Sequence, residues 1–440
     1  MKLLIIGGDA AGMSAASRVK RQAPETEEVV LEKTQEVSYG ACGLPYYVAG
    51  LNNDLDLIRI RKVPEFEAQG IVVKLGYLVN QIDFSRKMVC GTDHLGGNFV
   101  ESYDKLVIAS GASPKRPSIP GINQKNIFVL KTLAHAEELR ASLEKSRGNV
   151  VIVGGGAIGL EIAESCLLQK ANSVRIVEAL DQVLNGYDEE FADAMKDELI
   201  QQGVSVNLGA RVLAFEGDGT VRAVVTDQGR YEADLVILSI GVSPNTDFAE
   251  GIEKLGNGAI VTNRSMETSI PDVFAAGDCA SVWHKILDHP VYIALGTNAN
   301  KQGRLVGDRV IGRSVSFDRA LGTSMLRFMN LEVAKTGLTE KEAISAGIDV
   351  KSKLVVANSH ARYYPDPVKL TIRLCYRKMD QVLLGAEIMG RKEAAVRIDP
   401  FAIAIDQGMT TKELGFADLG YAPPFSGVWD AVQIAANAAK

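Results

Sequence analysis

Cysteine is scarce in this chain, with five in 440 residues, and Cys42, Cys90, Cys166, Cys279 and Cys375 form no C-x-x-C pair. A disulfide framework and a zinc site are therefore poor readings, and any cysteine that carries chemistry acts as a single thiol. Histidine is equally rare at five, without an H-E-x-x-H, so no metal centre is expected. An excess of positive charge is also missing: 48 Lys and Arg against 54 Asp and Glu give a net charge of −6, which favours neither nucleic acid nor an anionic membrane as partner. Long apolar runs are absent, since segments such as 150–153 and 235–238 fall far short of the roughly 18 residues a membrane helix needs. Lys2 runs directly into Leu3-Leu4-Ile5-Ile6 and then Gly7-Gly8, which reads as a strand entering a turn and not a leader, so the cytoplasm is the expected location.

What remains is 46% hydrophobic and 23% charged, the balance of a globular protein, and its length suits about three domains. One pattern occurs twice: apolar strand, glycine-rich turn, helix, and a second strand ending in an acid. The first copy runs from residue 2 through Gly7-Gly8-Asp9-Ala10-Ala11-Gly12 and a helix over 13–21 to Glu32. The second runs from residue 150 through Gly154-Gly155-Gly156-Ala157-Ile158-Gly159 and a helix over 160–169 to Glu178. Both describe a βαβ unit opening a doubly wound α/β sheet, and the reason for the pattern is phosphate. Glycines let the backbone approach a pyrophosphate, the helix N-terminus stabilises its charge, and an acid about 20 residues on accepts hydrogen bonds from a ribose. Asp9 stands where the first copy would carry its middle glycine. The second copy is complete, and no basic residue directly follows Glu178, which favours NADH over NADPH.

Two further strands end in small residues, at Ser110-Gly111-Ala112 and at Ser239-Ile240-Gly241, and Val273-Phe274-Ala275-Ala276-Gly277-Asp278 is a strand followed by Gly-Asp. In this order the segments resemble the flavin-dependent pyridine-nucleotide disulfide oxidoreductase family over essentially the whole chain. The resemblance implies two Rossmann-like domains and a C-terminal α+β dimerisation domain: a split FAD domain (1–112 and 244–320), an inserted NAD domain (113–243) and the dimerisation domain (321–440). It places FAD on Gly7, Ala11, Gly12, Glu32, Lys33, Ser110, Gly111, Gly277 and Asp278. It places the nicotinamide nucleotide on Gly154, Gly156, Ile158, Gly159, Glu161, Glu178 and Gly241, with Glu161 positioning the nicotinamide.

Cys42 lies in Ser38-Tyr39-Gly40-Ala41-Cys42-Gly43-Leu44-Pro45, and Pro45 suits the first turn of a helix. A helix N-terminus there is expected to lower the thiol pKa. Dithiol members of the resembled family carry a second cysteine five positions on, where this chain has Tyr47. Cys42 is left to cycle through a mixed disulfide, a persulfide or a sulfenic acid. Related peroxidases and oxidases place a histidine where this chain has Ala10, which weakens the peroxide reading. The segments around Tyr363 and Tyr421 resemble those of coenzyme A disulfide reductases, in which two tyrosines reach the cysteine of the other subunit, implying a homodimer with shared sites. Arg18, Arg21 and Ser38 match positions that contact the coenzyme there, whereas Ala41 replaces a contacting Asn. The expectation is an enzyme using FAD and NADH to reduce a small disulfide, with coenzyme A disulfide first and a persulfide, polysulfide or oxygen as alternative acceptors. A flavoprotein redox sensor is the rival of another class.

Overall fold

The computed structural model describes Met1–Lys440 throughout. The first repeat builds a parallel five-stranded sheet around Lys2–Ile6, flanked by Glu27–Glu32 and Ile71–Leu75 on one side and by Lys105–Ile108 and Val273–Ala275 on the other. Four of these strands are largely buried, as a sheet covered on both faces requires, while the edge strand Ile71–Leu75 is only partly so. The second repeat builds the same arrangement around Asn149–Val153, with Ser173–Val177 and Val204–Asn207 on one side and Leu235–Leu238 and Ile127–Phe128 on the other. Each helix starts three residues earlier than the sequence pattern suggests, at Ala10 and Ala157, because Asp9 and Gly156 are extended and the helix begins straight after them.

The duplication goes further than the glycine turns. In each unit the third parallel strand is followed by a three-stranded antiparallel meander, Leu78–Asp83 to Asn98–Ser102 in one and Val212–Gly217 to Gly229–Glu232 in the other. The two crossings between the units pair with each other, Ala112–Pro114 against Val242–Pro244. Ser110 Oγ donates to the Asn245 carbonyl at 2.6 Å and Asn245 Nδ2 returns a bond to the Ser110 carbonyl at 3.0 Å, which ties the crossings together.

The last part of the chain is an antiparallel five-stranded sheet in the order Ser324–Phe328, Leu331–Gly337, Leu383–Gly390, Lys369–Arg377, Val350–Asn358. Helices Ile398–Asp406 and Ala431–Ala438 share its apolar core. A second core joins the segment after Cys42 to the other two sheets: Leu44 and Val48 pack in one cluster with Ile152, Leu160 and Ile237 of the second unit and with Leu326 and Phe328 of the last sheet. No helix is long and apolar enough to cross a membrane.

Candidate active site

The two glycine turns are built alike down to single hydrogen bonds. Gly7 and Gly154 have φ of +106° and +110°, and a Cβ on either would lie 2.1 or 2.5 Å from a backbone oxygen, of Ala109 or Ser239. Glu32 accepts from the Gly8 N–H at 2.7 Å, and Glu178 accepts from the Gly155 N–H at 2.6 Å. Both acids therefore sit against their own glycine turn at the carboxyl edge of the sheet, where a ribose would lie. Neither helix has its N-terminus capped by a side chain, and a Cβ built on Gly156, Gly111 or Gly241 meets nothing within 4 Å. Uncapped N–H groups over open backbone fit a dinucleotide diphosphate at each turn. Ala11 is buried and packs 3.1 Å from the Cβ position of Gly277, while Lys33 and Ile158 are exposed.

Asp9 does not obstruct its turn. Its carboxylate is turned aside and accepts from the Tyr39 N–H at 3.2 Å, and burial pushes its pKa up to about 6. A neighbouring diphosphate would raise it further, so the carboxyl can meet phosphate as the neutral acid.

Cys42 occupies a short 3-10 turn, Ala41–Gly43, that leads into helix Leu44–Val48 with Pro45 in its first turn. It is the one exposed cysteine; Cys166, Cys279 and Cys375 are buried and Cys90 half-buried, and all five are free. Burial holds the Cys166 thiol at about 12, which makes it inert. The expected lowering of the Cys42 pKa is overturned. Partial desolvation and the Glu161 carboxylate push the thiol up, Asp278 and Asp9 add to this, and Lys131 opposes it. A five-residue helix has too small a dipole to compete with that surrounding charge.

The same set shows which residues converge. Glu161 projects from helix Ala157–Leu168 of the second unit toward Cys42, and burial followed by the Glu164 charge raises its pKa to about 7. Lys131 pairs with Asp278 at 3.1 Å, and the Lys131 carbonyl accepts from the Tyr39 hydroxyl at 3.2 Å. Lys131 is the local positive charge that sequence reasoning missed; only its sequence-distant partner Asp278 marks it. Ser38 is held at φ +49°, a strained position for a residue with a side chain, by bonds from its N–H to the Gly8 carbonyl and from the Ile60 N–H to its own carbonyl.

Arg18 is committed elsewhere, its guanidinium forking onto Asp308 at 2.8 and 2.9 Å, while Arg21 is exposed. The neighbouring basic cluster is largely neutralised: Arg59 pairs with Glu36 and Asp56, and Lys62 with Asp56. Arg61 stacks on Phe66 and donates to Ser17 Oγ at 3.1 Å, so this cleft of about 280 Å³ adjoins the first helix. Tyr363 and Tyr421, 58 residues apart in sequence, meet through their hydroxyls, and they are 74% and 45% exposed. Phe416, Phe425, Val428 and Trp429 are also exposed, and the Phe416 and Trp429 rings meet edge-on with centroids 5.8 Å apart.

Two dinucleotide cradles converging on one accessible thiol define a two-cofactor oxidoreductase that works through sulfur. Family comparison gives the same class: residues 1–303 match the pyridine nucleotide-disulphide oxidoreductase description and residues 323–432 its dimerisation domain. The chain belongs to the pyridine nucleotide-disulphide oxidoreductase family and is an NAD(P)H-dependent flavoprotein oxidoreductase. It is 38% identical over 442 residues to the NAD(P)H coenzyme A polysulfide/persulfide reductase of Pyrococcus horikoshii, covering 100% of this chain and 98% of that protein. It is 33% identical over 446 residues to an NADH oxidase of Enterococcus faecalis, covering 100% and 99%. The solved structure of reduced Bacillus anthracis CoADR-RHD superposes with a TM-score of 0.96 at 31% identity, covering 100% of this chain and 80% of that one.

Proposed function

We propose that the chain reduces sulfur–sulfur bonds at the expense of NADH, with coenzyme A disulfide as acceptor and Cys42 as the attacking thiol. The observation that carries this reading is the solitary accessible Cys42 between the two cradles, with no second thiol to form an internal disulfide. FAD, when bound, would supply the two-electron chemistry that links the nicotinamide to sulfur. Gly7, Gly12, Glu32, Gly111 and Asp278 would hold it, and Gly154, Gly156, Glu178 and Gly241 would hold NADH.

The Cys42 thiolate attacks one sulfur of the substrate, forming a mixed disulfide and expelling one thiolate, which a phenol of the partner subunit protonates. Reduction of the mixed disulfide by two electrons then frees the second thiol and restores the Cys42 thiolate, giving two thiols for each NADH and proton consumed. Glu161 positions the nicotinamide, and its raised pKa lets it hold or release a proton near neutrality. Arg21 and Ser38 contact the coenzyme; Arg18 does so only by giving up Asp308. The active form is a homodimer, because Tyr363 and Tyr421 stand on the outer surface of the last domain and serve the cysteine of the other copy. The chain divides at 1–112 plus 244–320, 113–243 and 321–440, which the paired crossings at 112–114 and 242–244 support. A cytoplasmic setting suits five unpaired cysteines.

A persulfide or polysulfide is the second acceptor, favoured by the relative at 38% identity, since the same thiolate attacks any sulfur–sulfur bond. The test is anaerobic NADH consumption by the yellow protein with coenzyme A disulfide, counting thiols, beside polysulfide and an air-saturated control. Two thiols per NADH well above the control support the disulfide. Turnover confined to polysulfide moves the assignment to sulfane sulfur, and turnover confined to air moves it to an oxidase.

A further inference from the structure

The two tyrosines lie on separate loops, 360–367 and 420–428, yet their hydroxyls meet. The residue that reaches both loops is Arg397, in the short turn Ala395–Arg397 that leads into helix Ile398–Asp406. Its side chain is 13% exposed. One nitrogen, Nη2, donates to the Ser359 carbonyl at 2.8 Å and to the Phe425 carbonyl at 2.7 Å, so a single group clasps the base of the first loop to the end of the second. Nη1 donates to the Glu393 carbonyl at 2.6 Å, and Nε donates to Asp430 at 3.2 Å, which aims the fork and balances its charge.

Each clasped carbonyl belongs to the loop that carries a tyrosine, and hydrogen bonds within that loop tie it together. Ser359, fully buried, donates its N–H to the Val368 carbonyl at 2.9 Å and accepts from the Val368 N–H on its own Oγ at 3.2 Å, which closes the first loop, and His360 Nε2 donates across that loop to the Pro365 carbonyl at 2.9 Å. In the second loop the Phe425 N–H donates to the Ala422 carbonyl at 2.9 Å and Ser426 Oγ donates to the Gly420 carbonyl at 3.2 Å. A planar fork with several N–H groups is what this task needs; a lysine ammonium has no fixed fork and would lose part of the set.

We infer that Arg397 is the positioning residue for the catalytic tyrosines, presetting Tyr363 and Tyr421 as one unit for the neighbouring subunit's Cys42. The inference rests on the sulfur-reducing reading above. Arg397 touches no substrate in this scheme; its effect passes through the phenols.

The test compares Arg397→Lys, Tyr421→Phe and the double variant as FAD-loaded dimers. Turnover of coenzyme A disulfide is divided by each preparation's own rate of NADH-driven ferricyanide reduction, which needs neither phenol. Arg397→Lys is expected to lower kcat for the disulfide by at least about tenfold, since misplacing a reacting group by about 1 Å costs up to about a hundredfold. The KM for NADH should hold, and the double variant should be no slower than Tyr421→Phe alone. Multiplying losses in the double variant would overturn the inference, as would wild-type turnover in Arg397→Lys beside a slow Tyr421→Phe. Wild-type turnover in Tyr421→Phe sinks the tyrosine role itself and the inference with it. Arg397→Gln, which keeps a planar donor without the charge, is run in parallel so that poor folding of one variant still leaves the comparison.

Discussion

Around Cys42 the chemistry is set by groups that are far away in the chain. Replacing Cys42 by Ser should abolish disulfide turnover while the protein stays yellow; an active Cys42→Ser enzyme would remove the thiol mechanism. Glu161→Gln takes away a negative charge that disfavours the thiolate, so the pH midpoint for alkylation of Cys42 by iodoacetamide should fall. An unchanged midpoint would mean that burial alone raises the thiol. Cys42, Glu161, Glu32 and Glu178 were legible because each stands at a fixed offset from a motif. The direction of the Cys42 shift was not, since the sequence shows the helix that follows but not the carboxylates that fold back over it. Lys131 and Arg397 were hidden for the same reason: an isolated cation in a sequence carries no mark of the carboxylate or carbonyl it will meet.

Strands, turns and helices make a different kind of prediction, in which two glycines of one turn should behave oppositely. Gly154→Ala forces a Cβ to 2.5 Å from the Ser239 carbonyl oxygen at φ +110°, so it should cost about 1–3 kcal/mol and lower the melting temperature. Gly156→Ala meets no protein atom, so the fold should melt as before while the KM for NADH rises, because the methyl projects into the cradle. Equal melting temperatures for the two variants would contradict this division of labour. A pH-sensitive joint connects helix Glu189–Gln201 to the last sheet, where buried Glu387 accepts from the Asp188 N–H at 2.8 Å. Burial and then the Asp188 charge push Glu387 up to about 8, with Lys335 opposing. An unfolded Glu titrates near ~4.3, so between those values the folded chain holds a proton that the unfolded chain has lost. The contribution is therefore complete at low pH and disappears as pH rises through about 8. The melting temperature should decline over that window, and Glu387→Gln should flatten the decline in part, since Glu28 and Glu161 titrate with the same sign. The strands and glycine turns of both repeats could be read from period and composition. The two meanders could not, because short antiparallel strands at a surface lack a continuous apolar run.

For the molecule as a whole, the placement of the tyrosines makes a prediction about pairs of subunits. Cys42→Ser and Tyr421→Phe subunits are each defective, but a mixed dimer rebuilds one complete site if the phenol serves the opposite cysteine. Co-refolding the two variants should therefore recover disulfide turnover, whereas sites confined to one subunit would recover none. Tyrosine is enriched where subunits meet, so a purely packing role would show itself as dissociation on mutation and not as lost turnover. The core that runs from Leu44 and Val48 through the second parallel unit to Leu326 and Phe328 has a separate consequence. The segment bearing the thiol is wedged into that core and does not hang from a hinge, so it cannot swing toward a distant acceptor and oxidised substrates must diffuse to it. Heat should then find no soft part to release first: calorimetry should show one cooperative endotherm, with loss of yellow colour and loss of activity at the same temperature.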